Sequence, residues 1–194
     1  MGDLSTYSLS DFILFAEFSY YRLFELYNQA LWPWHVLPVC AGLLLLYLYK
    51  AKLAWSGRVI AVVLFISWLW VAWAFLYQRF YQIHVVANGY ALGFVVQAVL
   101  IAWYGMLQNH FQIPKDHTRS TKTGLALVLI AVFIYPLIAV FTGRDAWSFE
   151  MFGLAPDPTV LATFGMLLMV RARWWLYILP VFWSIISGIT LLVM

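Results

Sequence analysis

Apolar residues fill most of this chain, so the informative positions are those where the filling stops. Apolar runs recur over 33–49, 59–77, 86–107, 124–141, 153–170 and 174–194, divided by polar turns. A helix crossing roughly 30 Å of hydrocarbon needs about 20 residues, and most of these runs approach that length. The fifth does not. Its uninterrupted part, 159–170, has 12 residues before Arg171. At about 1.5 Å per residue it spans only about 18 Å, so it crosses only if 149–155 also enters the membrane. Upstream, 8–30 has a helical period. At about 100° per residue Phe12, Phe15, Ala16, Ser19, Leu23, Leu26, Tyr27 and Ala30 share one face. Asp11, Glu17, Tyr21, Glu25 and Asn28 lie opposite, and Ser8 with Asp11 has capping-box spacing. An acidic polar face does not attract anionic lipid, so this helix is expected to pack on the bundle.

The pattern predicts an all-α polytopic membrane protein in one integral membrane domain, 1–194. It has six transmembrane helices, an N-terminal amphipathic interfacial helix within 1–31, and a proline-broken fifth helix. Composition agrees: 65% of residues are hydrophobic and 10% charged, against about 25% charged in soluble domains. The single Cys40 excludes an intramolecular disulfide and a cysteine metal cluster. Acids stand where a signal peptide needs a basic region, so no cleaved leader is expected.

The net charge of +3 is a topology signal rather than a nucleic-acid footprint. With the N-terminus outside, Lys50, Lys52, Arg58, Lys115, Arg119, Lys122, Arg171 and Arg173 fall inside. Arg22, Arg79 and Arg144 fall outside, which is a strong positive-inside bias. Both termini are then outside. Seven carboxylates, Asp3, Asp11, Glu17, Glu25, Asp145, Glu150 and Asp157, share that side. They read either as a solvated rim or as a field that concentrates cations.

The sharpest candidate chemistry lies where the fifth run breaks. Asp157 stands between Pro156 and Pro158, and the residue before a proline is pushed toward extended backbone. Asp157 is the expected N-cap and Pro158 the expected first helical residue. Asp157 and Glu150 are either structural or face a solute or ion path, with Thr159 and Thr163 following on the helix. Asn88 and Gln97, at membrane depth in the third run, point into the bundle as interhelical hydrogen-bond partners or as further path lining. Gly89 and Gly93 have the spacing that marks close helix packing more often than dimerisation. Pro136 is expected to kink the fourth helix. His35 and His84 belong near the outer interface, where hydrogen bonding is the commoner use and ligation the rarer. Trp32, Trp34, Trp147, Trp174 and Trp175 fit interfacial belts, and Trp68, Trp70, Trp73, Trp103 and Trp183 lie deeper as packing or lipid-facing bulk. No enzyme motif, metal-ligand set or cofactor signature is present, so no catalytic residue, metal or cofactor is expected.

Several stretches carry a resemblance: YSLSDFILF at 7–15, YRLFELYNQALWP at 21–33, GRVIAVVLFISWLWVAWAF at 57–75, FGLAPDPTVLATFG at 152–165 and SGITLLVM at 187–194. They resemble an uncharacterised family of small bacterial integral membrane proteins known only as a domain of unknown function. The resemblance implies six helices in a bacterial inner membrane, which would put both termini in the periplasm. It supplies no assigned site residues. The leading expectation for function is passage of a small solute or ion, with Asp157 and Glu150 at the outer entrance and Asn88, Gln97, Thr159 and Thr163 as lining. Homo-oligomers in the lipid bilayer are expected. The rival is a non-catalytic accessory or assembly subunit of a larger membrane complex, and a third reading is a lipid or pigment binder.

Overall fold

The computed structural model of the chain describes residues 17–82, 87–114 and 118–193. The capping-box pair Ser8 and Asp11, His84 and Lys115 lie outside the described residues. Among the described residues the protein is all-helical. Its helices are α1 (Glu17–Leu31), α2 (Val36–Ala51), α3 (Ser56–Trp70), α4 (Ala87–Ile101), α5 (Arg119–Leu129), α6 (Ile138–Phe141), α7 (Pro156–Met169) and α8 (Ile178–Val193). Wider π-helical turns extend α3 through Val71–Tyr77, α4 through Ala102–Leu107 and α5 through Ile130–Ile134. A 3-10 turn at Tyr135–Leu137 then accommodates Pro136, whose missing N–H breaks the regular ladder.

Among the described residues four helical stretches are long and apolar enough to cross a membrane: Ser56–Tyr77, Ala87–Leu107, Arg119–Phe141 and Trp174–Leu192. A fifth arises if Phe18–Leu31 and Val36–Ala51, bent by 93° at their junction, form one span. The two remaining expected crossings are short by themselves. α2 has 16 residues and α7 has 14, or about 24 and 21 Å of helix. The outer faces of the bundle are apolar, with Leu44, Ile66, Leu92, Val99, Ile134 and Ile185 all exposed. Such a surface is stable where lipid replaces water.

The buried face of α1 is rotated from the expected one. Tyr20, Phe24, Tyr27 and Asn28 are buried, while Leu26 and Ala30 are exposed. Phe24 stacks on Phe75 at 4.7 Å and Tyr20 meets Phe80 edge-on. Asn28, assigned by periodicity to the polar face, donates to the carbonyls of Trp147 and Phe149, 2.7 Å each. The reason is physical. In a membrane an aliphatic side chain is equally comfortable toward lipid, so rings that stack and an amide that finds acceptors take the protein-facing side.

The close approaches are made by different glycines from those expected. A Cβ on Gly124 would lie 2.5 Å from the Gly165 carbonyl oxygen, and the reverse holds equally, so α5 and α7 touch backbone to backbone. Gly89 and Gly93 have nothing within 4 Å of that position and border a small cavity between α4 and α8. Their spacing therefore does not mark close packing within this chain.

α7 is the centre of the bundle. Along its length only Asp157, Leu161, Phe164 and Leu168 escape full burial, a single stripe at helical spacing. The connection from α6 descends to reach it. Gly153, at φ +78° in the region open to glycine, sits against Ser67, midway along the Ser56–Tyr77 span. α7 therefore begins inside the bundle.

Candidate functional site

The start of α7 differs from the expected one by two residues. Pro156 is the first helical residue and Ala155 is the N-cap, extended at φ −109° and ψ 149°, with no side-chain cap. Pro156 has the preset φ of a first helical position and pushes Ala155 into the extended backbone an N-cap adopts. The capping work falls to Thr159. Its Oγ1 accepts from the Gly153 N–H at 2.8 Å and donates to the Ala155 carbonyl at 2.7 Å.

Asp157 is thereby free to reach across the bundle. Its Oδ1 accepts from Trp183 Nε1 at 2.7 Å. Its Oδ2 accepts from Ser187 Oγ at 2.7 Å and from Tyr135 OH at 3.3 Å. One carboxylate thus joins α7, α8 and the 3-10 turn that follows the α5 stretch. It lines a groove of about 270 Å³ between the α5 and α8 stretches, with Leu161 and Phe164 beneath and Ser184 and Gly188 along the α8 wall.

Glu150 lies just ahead of α7, in the segment outside the spanning helices. It is 6% exposed. Its Oε1 is 3.6 Å from Arg144 Nη1, a loose ion pair, and its buried Oε2 has no hydrogen-bond partner. Arg144 is held elsewhere: Nε donates to Thr142 Oγ1 at 2.9 Å, and the guanidinium lies over the Tyr21 ring at 4.2 Å. Burial, reinforced by the negative charge on Asp157 and opposed by Arg144, pushes the Glu150 carboxyl up to about 8. Among the described residues Glu150 thus sits between the charge of Asp157 and one loosely placed cation, a balance that a small cation or a proton can complete. The helix start is poorly suited to anions, because prolines at 156 and 158 remove two N–H groups from the first turn.

A family model described as a family of unknown function, DUF6064, matches residues 17–194. The chain belongs to that family. No curated protein and no solved structure matches it.

In this DUF6064 chain the other sequence-predicted positions have varied settings. Thr163, fully buried, accepts from Trp68 Nε1 at 2.8 Å and donates to the Thr159 carbonyl at 2.8 Å. Gln97, also fully buried, donates to the Leu176 carbonyl at 2.9 Å and leaves Oε1 without a partner. Asn88 is exposed at the start of α4. The structure thus gathers Glu150, Asp157, Thr159 and Thr163 along the break and upper turns of α7, with Asn88 and Gln97 on another helix. His35 is buried between Trp32 and Phe149, its Nε2 3.4 Å from Asn28 Oδ1. Among the described residues no group of three His, Cys, Asp or Glu is placed to hold a metal ion.

Sequence reasoning missed Tyr135, Arg144, Trp183 and Ser187 as partners of the two carboxylates. Trp183 and Ser187 are four apart on one helix, hence on one face, and that spacing of two donors at membrane depth was the available signal. Arg144 was visible as an outer arginine close in sequence to Glu150. The deep tryptophans also divide: Trp68 and Trp183 are buried donors, Trp70 is a partly exposed donor to Tyr27 OH, and Trp73 and Trp103 are exposed.

Proposed function

We propose that this protein carries a small cation, a proton included, across a bacterial inner membrane, with Glu150 and Asp157 as its binding groups. The observation that supports this most strongly is the pair of carboxylates at the buried start of α7, of which Glu150 has Arg144 as its one ion-pair partner among the described residues and keeps one oxygen unpartnered. A helix that begins inside the bundle, with irregular backbone ahead of it, is the arrangement in which transporters place ion sites. In this reading the chain crosses six times: α2 forms the first crossing behind an interfacial α1, and 153–170, with α7, forms the fifth. Both termini lie in the periplasm, and copies associate in the bilayer.

Liposome flux tests this. The purified protein should pass protons or small monovalent cations in preference to anions, and Asp157→Asn should change that flux while the protein stays folded. No flux across a broad panel from a folded, monodisperse sample would contradict it.

One feature favours the rival reading of an accessory subunit in a larger membrane complex. The hydroxyls of Thr159 and Thr163 and the Gln97 amide N–H are committed to bonds within the bundle. If the protein copurifies with other subunits and shows no flux alone, that reading replaces transport.

A further inference from the structure

We infer that the protein holds a phospholipid acyl chain in an apolar pocket behind the bend between α1 and α2. The pocket measures about 330 Å³ and is walled by Trp34, Pro38 and Ala41 on one side, Ser67 on α3, and Gly153 and Leu154 from the segment ahead of α7. That volume is in the range of ligand sites, and its walls fix the chemistry of the occupant.

Apart from the Trp34 indole N–H at the rim, the side-chain polar groups at the wall are already spent. Ser67 Oγ donates to the Val63 carbonyl at 2.9 Å, and Trp70 Nε1 donates to Tyr27 OH at 2.9 Å. Tyr27 OH in turn donates to the Leu154 carbonyl at 3.3 Å, and the Gly153 N–H is held by Thr159. A water here would lack the two or more polar partners it needs, so water is a poor filler. A polar solute fails for the same reason. An empty void of this size is equally unfavourable beside fluid hydrocarbon, because its walls forgo packing contacts.

The mouth points to the source. Trp34, Leu37 and Ile66 at the rim are each more than half exposed, and they continue the apolar belt that faces lipid. The pocket therefore opens to the bilayer, whose abundant slender apolar object is an acyl chain. A transmembrane helix, about 10 Å across, is too wide. The far end of the chain rests on Gly153 and Leu154, both buried, immediately before the start of α7. This inference stands apart from the ion reading, since none of its lining residues is Glu150 or Asp157.

The test uses the full-length protein in phosphatidylcholine nanodiscs doped with phosphatidylcholine carrying a diazirine at the end of one acyl chain. After irradiation, peptide mapping should find adducts on Ser67, Gly153 and Leu154, which ordinary surrounding lipid does not reach. Ala41→Phe, which fills the pocket, should abolish those adducts and leave adducts on the exposed Leu92 and Val99 of α4 unchanged. If that variant does not give a monodisperse protein, Ala41→Leu makes the same comparison with a smaller group. Adducts confined to exposed faces in the parent, or buried adducts that survive the filling substitution, would overturn the inference.

Discussion

Two carboxylates seven positions apart live under opposite rules. Asp157 accepts three hydrogen bonds from two other helical stretches, two of them at 2.7 Å. Glu150 is more deeply buried, has one loose ion pair at 3.6 Å, and keeps one oxygen with no partner. Strong bonds to neutral donors fix a carboxylate in place, whereas burial without enough partners leaves its charge unresolved. Asp157 is thus the mechanical anchor of the site, and Glu150 is the group most able to exchange a proton or accept a cation.

The contrast is broken most severely by removing the one cation. Arg144→Gln leaves Glu150 with no counter-charge, and thermal unfolding in detergent at pH 9 should show a loss of about 3 kcal/mol, the low end for breaking a buried pair. At pH 5, where Glu150 is protonated, the same substitution should cost much less. Next comes Asp157→Leu, which orphans Trp183, Ser187 and Tyr135 together. At about 1 kcal/mol for each lost partner the destabilisation should be about 3 kcal/mol at every pH. Asp157→Asn should cost only about 1 kcal/mol, because two hydroxyls can rotate to accept from the new amide and only Trp183 requires an acceptor.

A gentler probe is pH alone. The Glu150 carboxyl holds its proton up to about 8 when folded, against 4.5 for the ordinary group. Between those values the folded state keeps a proton that the unfolded state has lost, so stability falls as pH rises through the window. The contribution is complete below about pH 4.5 and gone above about 8. Melting temperatures should decline across that range, and Glu150→Gln should flatten this part of the curve. An unchanged slope in that variant would assign the titration to another group.

Much of the fold was legible because membrane crossing is written in apolar length. The runs expected at 59–77 and 86–107 reappear as Ser56–Tyr77 and Ala87–Leu107. What one-dimensional patterns do not carry is which apolar face meets protein. Leu26 turned outward and Asn28 inward, since lipid accepts Leu26 as readily as the core does. The same limit misdirected the glycine reading. Gly89 and Gly93 share a helix and a familiar spacing, while the real contact joins Gly124 and Gly165 on separate helices. Asp157 and Glu150 stood out because each interrupts an apolar context. Their partners Tyr135, Trp183 and Ser187 lie 22, 26 and 30 residues from Asp157, and only the folded bundle brings them together.

The most direct test is the pH profile of cation flux in liposomes for the parent and for Glu150→Gln, each checked for folding. The parent's flux should rise as pH passes about 8, where Glu150 becomes a carboxylate, and the variant should lack that rise. Superimposable profiles would contradict a role for Glu150 in carrying the ion.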